Sequence, residues 1–186
     1  FTKVKVETTP SEDDGRSNLT FQIEEGPEVS IGEIRIEGNS KISDDNLKGA
    51  MSEVKEKSWW QFWRSSGFDR KKLKKDEAMI VDYYRERGFI NASVLSDSIS
   101  IDPITGKADV QISVSEGRQV FLRNVAITGN TVYPSPTLLR RLDTDTSAPY
   151  NQVRLEKNLY GNEDQTDVRS LYLDNGYLTF NAQLSE

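Results

Sequence analysis

Side chains able to do covalent chemistry are scarce. The 186 residues include no histidine and no cysteine, which removes imidazole and thiolate catalysis, disulfides and Cys-based zinc sites. The carboxylate pairs Asp13-Asp14, Glu24-Glu25 and Asp44-Asp45 fall in turn and cap contexts that imply no pocket. Asp102-Pro103-Ile104-Thr105-Gly106 has too few oxygen donors for a calcium loop. There is no Walker motif and no glycine-rich phosphate loop. No catalytic residue, metal ligand or cofactor is assigned, and the chain is expected not to be an enzyme. A net charge of −6, from 30 acidic and 24 basic residues, argues against a nucleic-acid partner.

Two denser clusters point to surfaces. All three tryptophans lie in Ser58-Trp59-Trp60-Gln61-Phe62-Trp63. Trp59, Trp60, Phe62 and Trp63 suit packing against helices, an exposed patch for a partner or client, or contact with the membrane interface. Arg70-Lys71-Lys72 with Lys74-Lys75 opposes the dipole at a helix start. It reads as a solvated face partly neutralised by Asp69, Asp76 and Glu77, or as a contact for anionic headgroups.

The elements that carry these clusters repeat. Glu25-Gly26-Pro27 and Ile34-Arg35-Ile36-Glu37-Gly38-Asn39 recur as Glu116-Gly117-Arg118 and Val125-Ala126-Ile127-Thr128-Gly129-Asn130. Both glycine spacings are equal, 117 − 26 = 91 and 129 − 38 = 91. A fixed period means tandem modules. Alternation in Lys3-Val4-Lys5-Val6 and Leu19-Thr20-Phe21-Gln22-Ile23 around a turn at Thr8 to Ser17 predicts a hairpin with one buried face. The second hairpin has arms at Ala92 to Ile101 and Val110 to Val114. Short strands are expected at Ile34–Ile36 and Val125–Ile127, each closed by a Gly-Asn turn.

Ser43 and Ser135 cap short helices. A longer helix runs from Asp69 with Leu73, Ile80 and Tyr84 on one side and ends at Gly88. Its counterpart runs from Asn151 to Gly176. The polar stretch Gly161-Asn162-Glu163-Asp164 predicts a kink or break in it. Each unit reads strand, helix, helix, strand, strand. The expected domains are 1–26, the terminal hairpin of a preceding module; 27–117, a complete module; and 118–186, a following module without its last strand.

The Gly-Asn turns, the Glu-Gly joints and the pair Tyr84-Arg85-Glu86-Arg87-Gly88-Phe89 and Tyr172-Leu173-Asp174-Asn175-Gly176-Tyr177 resemble the POTRA (polypeptide-transport-associated) family. The resemblance covers nearly the whole chain. It implies an α+β fold of tandem β-α-α-β-β modules, each a three-stranded mixed sheet covered on one face by two helices. It also implies a chaperone-like, periplasmic role at the outer membrane of Gram-negative cells. Such arms bind unfolded outer-membrane proteins and accessory lipoproteins during protein insertion into the membrane, with membrane surface contact as a further option.

Two departures stand out. The middle copy gains residues around the tryptophans, and the last copy gains them before Gly176. Other members of the broad family remain open as alternatives: the arm of a two-partner secretion or autotransporter-assembly transporter, or a structural module of a cell-division protein.

Two site expectations follow. A sheet edge offers free N–H and C=O groups to an extended client. In the family that edge is the first arm of the terminal hairpin, here Asn91, Ser93, Val94, Ser96, Ser98 and Ile99. Its serines and Asp97 equally suit an edge kept solvated against pairing. The inter-module hinges are Glu25, Gly26 and Pro27, and Glu116, Gly117 and Arg118. Pro27 stiffens the first and Gly117 frees the second.

No apolar run approaches the ~18 residues of a membrane span. No signal peptide is visible, and the chain opens on Phe1. A fragment of a longer protein is expected.

Overall fold

The computed structural model describes residues 4–13, 16–25, 29–54 and 70–185. The Trp59–Trp63 cluster and Gly26 and Pro27 of the first joint lie outside them. The chain divides into two compact units, Phe1–Met79 with Val94–Val114, and Ile80–Ser93 with Ser115–Glu186.

The first unit opens with an antiparallel hairpin, β1 (Val4–Asp13) and β2 (Arg16–Glu25). The strands run further than the turn composition of Thr8 to Ser17 suggested. Register pairs Asp13 with Arg16, so only two residues link the strands, as in the tightest hairpins. Pro10 lies within β1, opposite Leu19, a placement that a strand with one free edge tolerates. Phe21, expected on a buried face, is 59% exposed. Among the described residues its sheet has two strands.

The second sheet has the order β3-β5-β4, from β3 (Ser30–Glu37), β4 (Ser93–Ile101) and β5 (Lys107–Ser115). β3 runs parallel to the central β5. The five residues linking β4 to β5 are too few for a parallel crossover, so the sheet is mixed. Alternate residues of β5 are buried: Ala108, Val110, Ile112 and Val114. They form the core with Ile31, Ile34 and Ile36 of β3 and with Leu47, Met51 and Leu73. The β3–β5 ladder breaks between Ile31 and Ile34. There Asp109 accepts the Glu33 N–H at 3.0 Å, and a Cβ on Gly32 would stand 2.4 Å from the same oxygen.

α1 (Asp44–Ala50) is capped by Ser43, whose side chain accepts from the Asn46 N–H. α2 (Arg70–Arg85) brings Leu73, Asp76 and Ile80 to full burial. Asp76 faces the chain that follows α1. Its carboxylate accepts the N–H groups of Ser52 at 2.8 Å, Glu53 at 3.0 Å and Val54 at 2.5 Å. The acid read as a counter-ion for the lysine run is therefore a backbone clamp.

The Gly-Asn pairs do the same work in both units. Gly38 and Gly129 hold φ at +91° and +78°. The Asn39 amide donates to the Ile42 carbonyl and the Asp44 carboxylate. The Asn130 amide donates to the Tyr133 carbonyl and the Ser135 hydroxyl. Each asparagine staples its turn to the start of the following helix.

In the second unit, α3 (Ser135–Leu142), α4 (Gln152–Tyr160) and α5 (Val168–Asp174) enclose Leu138, Leu142, Tyr150, Leu155, Val168 and Tyr172. Pro134 occupies the cap position of α3, one residue ahead of the expected serine. Asn151 caps α4 as expected. The expected break falls between Tyr160 and Val168, where Gly161 has φ +149°.

No strand forms at Val125–Ile127. The one pairing outside named strands among the described residues is a bridge between Phe121 and Pro149. A strand exists only through a partner ladder. Among the described residues no ladder partner lies along Val125–Ile127. A groove of about 740 Å³ is lined by Ile127, Gly129, Leu138, Tyr172 and Phe180.

Asp167 caps α5 and is fully buried. Burial alone would raise its pKa. Hydrogen bonds from the Ser170 N–H and hydroxyl and from the Asn162 N–H outweigh burial and hold it below the usual value of 3.8. A lowered folded pKa means the unfolded state takes up the proton first. The stabilisation is full above the unfolded value and is lost as pH falls through the folded one. Asp167→Asn should flatten the acid limb of unfolding monitored at α4 and α5, between roughly pH 5 and 2. A variant profile that keeps the wild-type slope would show that Asp167 does not carry it.

Candidate functional site

Among the described residues β4 is an edge strand, paired with β5 alone. Its sequence SVLSDSISI favours pairing through β-branched Val94, Ile99 and Ile101. Of the six residues expected on this edge, Ser93, Val94, Ser96, Ser98 and Ile99 lie on the strand. Ser93, Ser96 and Ser98 are exposed, and Val94 and Ile99 are half-buried. Asn91 does not join them. It sits in the turn before β4, against Gly117, where the chain leaves the positive-φ end of α2 at Gly88.

Sequence reasoning passed over Leu95 and Ile101 of the same strand. They are 66% and 39% exposed. Their signal was the apolar residue itself, in a strand otherwise read through its serines.

Asp97 is not one of the solvating groups of the edge. Its side chain is 9% exposed. It accepts from Lys74 at 2.8 Å and Arg70 at 3.0 Å. Lys74 also meets Glu77 at 2.7 Å. The Lys74 hydrogen bond holds the Asp97 carboxyl below its ordinary range, and bonds to Asp97 and then Glu77 raise the Lys74 ammonium. Lys75 approaches Glu53. Arg70, Lys74 and Lys75 thus have acidic partners that bind α2 to β4 and to the chain after α1.

At the second joint Glu116 is buried and accepts the Tyr84 hydroxyl at 3.1 Å. Gly117 takes φ +68°, and Arg118 is exposed. The Gln119 amide donates to the Arg87 carbonyl at 2.8 Å, and the Val120 N–H to the Gly88 carbonyl at 2.8 Å. The Tyr150 N–H in turn donates to the Val120 carbonyl at 3.0 Å. The segment is held on both sides of Gly117, whose positive φ makes the turn. At the first joint Glu25 ends β2, opposite Val4.

Among the described residues no group of three or more acidic, His or Cys side chains is disposed to hold a metal. None of the described helices is long and apolar enough to cross a membrane. Asp102 is occupied as an Asx turn, accepting from the Ile104 N–H and the Thr105 hydroxyl. What the arrangement offers is an exposed main-chain edge with two bare apolar side chains.

Comparison with known proteins agrees with this geometry. Residues 29–117 match the POTRA family model, described as a surface antigen variable number repeat. The outer membrane protein assembly factor BamA of Neisseria meningitidis is 28% identical over 132 residues, 69% of this chain and 17% of that one. BamA of Buchnera aphidicola is 24% identical over 151 residues, 81% of this chain and 23% of that one. The chain spans about a fifth of the length of the curated relatives it matches. A crystal structure of Haemophilus influenzae BamA POTRA3-5 aligns with a TM-score of 0.49 and 21% identity, over 85% of this chain and 63% of that one. With the β3-β5-β4 sheet and helices α1 and α2 between β3 and β4, residues 29–117 form a POTRA domain.

Proposed function

We propose that this chain is part of the periplasmic arm of an outer-membrane β-barrel assembly factor. It receives unfolded outer-membrane proteins by adding their strands to the β4 edge. Accessory lipoproteins of the assembly complex are its second class of partner, and the Glu-Gly joints set the angle between modules.

The observation that carries this reading is the edge position of β4 in a three-stranded sheet, together with the exposed Leu95 and Ile101. Main-chain pairing gives affinity without demanding one sequence, and alternate side chains add a preference for apolar residues. Nascent barrel strands alternate apolar and polar residues, so their apolar face suits Leu95 and Ile101.

Peptides from barrel strands, titrated into isotope-labelled protein, should shift the amides of Ser93–Ile101. Two versions, N-methylated at alternate residues, should differ, because only one row of peptide N–H groups faces β4. Shifts confined to helices, or equal binding of both methylated versions, would overturn strand addition.

A further inference from the structure

β4 carries one acid in an apolar row. Side chains alternate along a strand, so Leu95, Asp97, Ile99 and Ile101 share one row, and Ser96, Ser98 and Ser100 share the other. The first row is turned toward α2, because Asp97 meets Arg70 and Lys74 of that helix.

The charges gathered there are unequally exposed. Asp97 and Glu77 show 9% of their side chains, whereas Arg70 shows 64% and Lys74 54%. Both oxygens of Asp97 are engaged, Oδ1 by Lys74 and Oδ2 by Arg70. Lys74 has three donors, divided between the two Glu77 oxygens and Asp97. Arg70 has five, and among the described residues it commits one nitrogen, Nη2, to Asp97. The unspent hydrogen-bonding capacity beside the edge is that of a guanidinium, and the acids beneath it are already paired.

We infer that Arg70 makes the β4 edge selective for strands that carry a carboxylate, beside Asp97, in an otherwise apolar row. The inference rests on the strand addition proposed above and gives it a sequence preference. A strand laid along β4 sets its residues ~5 Å from their cross-strand neighbours. A glutamate beside Asp97 then comes within reach of the Arg70 fork, which matches the two oxygens of a carboxylate. A lysine in that place meets two exposed cations and an acid they already occupy. Apolar residues on either side of the glutamate lie against Leu95 and Ile99, and the alternate row faces the serine side.

The test uses short peptides of alternating apolar and polar residues, with Glu, Gln or Lys at the central position of the apolar row. A nitroxide at one end reports register through broadening of the Ser93–Ile101 amides. The Glu peptide should bind the isotope-labelled chain about threefold more tightly than the Gln peptide and about tenfold more tightly than the Lys peptide. Arg70→Gln leaves Lys74 on Asp97 and should remove most of that preference. In the wild type, raising salt from about 0.1 M to about 1 M should also shrink it, as the Debye length falls from ~10 Å to ~3 Å. Equal binding of the three peptides at Ser93–Ile101 would overturn the inference and leave strand addition standing. A preference that survives either Arg70→Gln or high salt would overturn it too, because its source would lie elsewhere. No shift at Ser93–Ile101 with any peptide would remove strand addition itself, and the inference with it.

Discussion

Asp76→Ala should destabilise the first unit by about 3–5 kcal/mol, because three backbone N–H groups lose a charged acceptor in a site closed to water. Asp76 is fully buried, and its two oxygens take the N–H groups of Ser52, Glu53 and Val54. A hydrogen bond to a charged group contributes roughly 1.5–3 kcal/mol, and three on one carboxylate do not add fully. The loss is comparable to the whole stability of a small domain, about 5–15 kcal/mol. For a unit of this size it corresponds to a fall in Tm of about 15 °C or more. Asp76→Asn keeps the volume and one oxygen, and should lose roughly half as much. Thermal and urea unfolding of both variants would measure it. A loss under about 1 kcal/mol for Asp76→Ala would mean that water reaches those N–H groups.

The second prediction uses the repeat as its own control. Gly38→Ala and Gly129→Ala put the same methyl group at equivalent positions of positive φ. Backbone strain alone costs about 1–2 kcal/mol in each. At Gly38 the new Cβ would also stand 2.1 Å from the Val114 carbonyl oxygen, a backbone atom of the central strand. At Gly129 it would meet no atom within 4 Å. Gly38→Ala should therefore cost at least about 2 kcal/mol more than Gly129→Ala in the 186-residue chain. Unfolding followed separately in the two units, by hydrogen exchange at the amides of β5 and of α3, would resolve the difference. Equal losses would show that β5 yields to the methyl group and that the glycine is required for its φ alone.

The period and the glycines carried most of the fold. Gly38, Gly88, Gly129 and Gly176 mark positions where the backbone must turn, and each has positive φ. The apolar spacing of Leu73, Ile80 and Tyr84 placed α2, and the polar stretch after Gly161 placed its counterpart's break.

Less of the site was legible. Asp76 stands three residues after Leu73 and four before Ile80, on the buried face, yet it read as a counter-ion because its neighbours are lysines. Its partners are backbone N–H groups, which have no side-chain signature in sequence. Asp97 read as an edge residue for the same reason, since its partners are 23 and 27 residues away on α2. The strand expected at Val125–Ile127 failed for a different cause. Alternation shows that a segment can pair, whereas pairing itself depends on a partner remote in sequence.

The break in the β3–β5 ladder has a consequence for valence. A three-stranded sheet has two outer strands and is in principle a bivalent acceptor, able to bridge one client to another. β3 is interrupted where Gly32 and Glu33 bulge around Asp109, and a bulge twists an edge away from regular pairing. Among the described residues the sheet then presents β4 as its single regular edge. Under the strand addition proposed for β4, a monovalent acceptor would hold one strand at a time and would not nucleate an open-ended sheet.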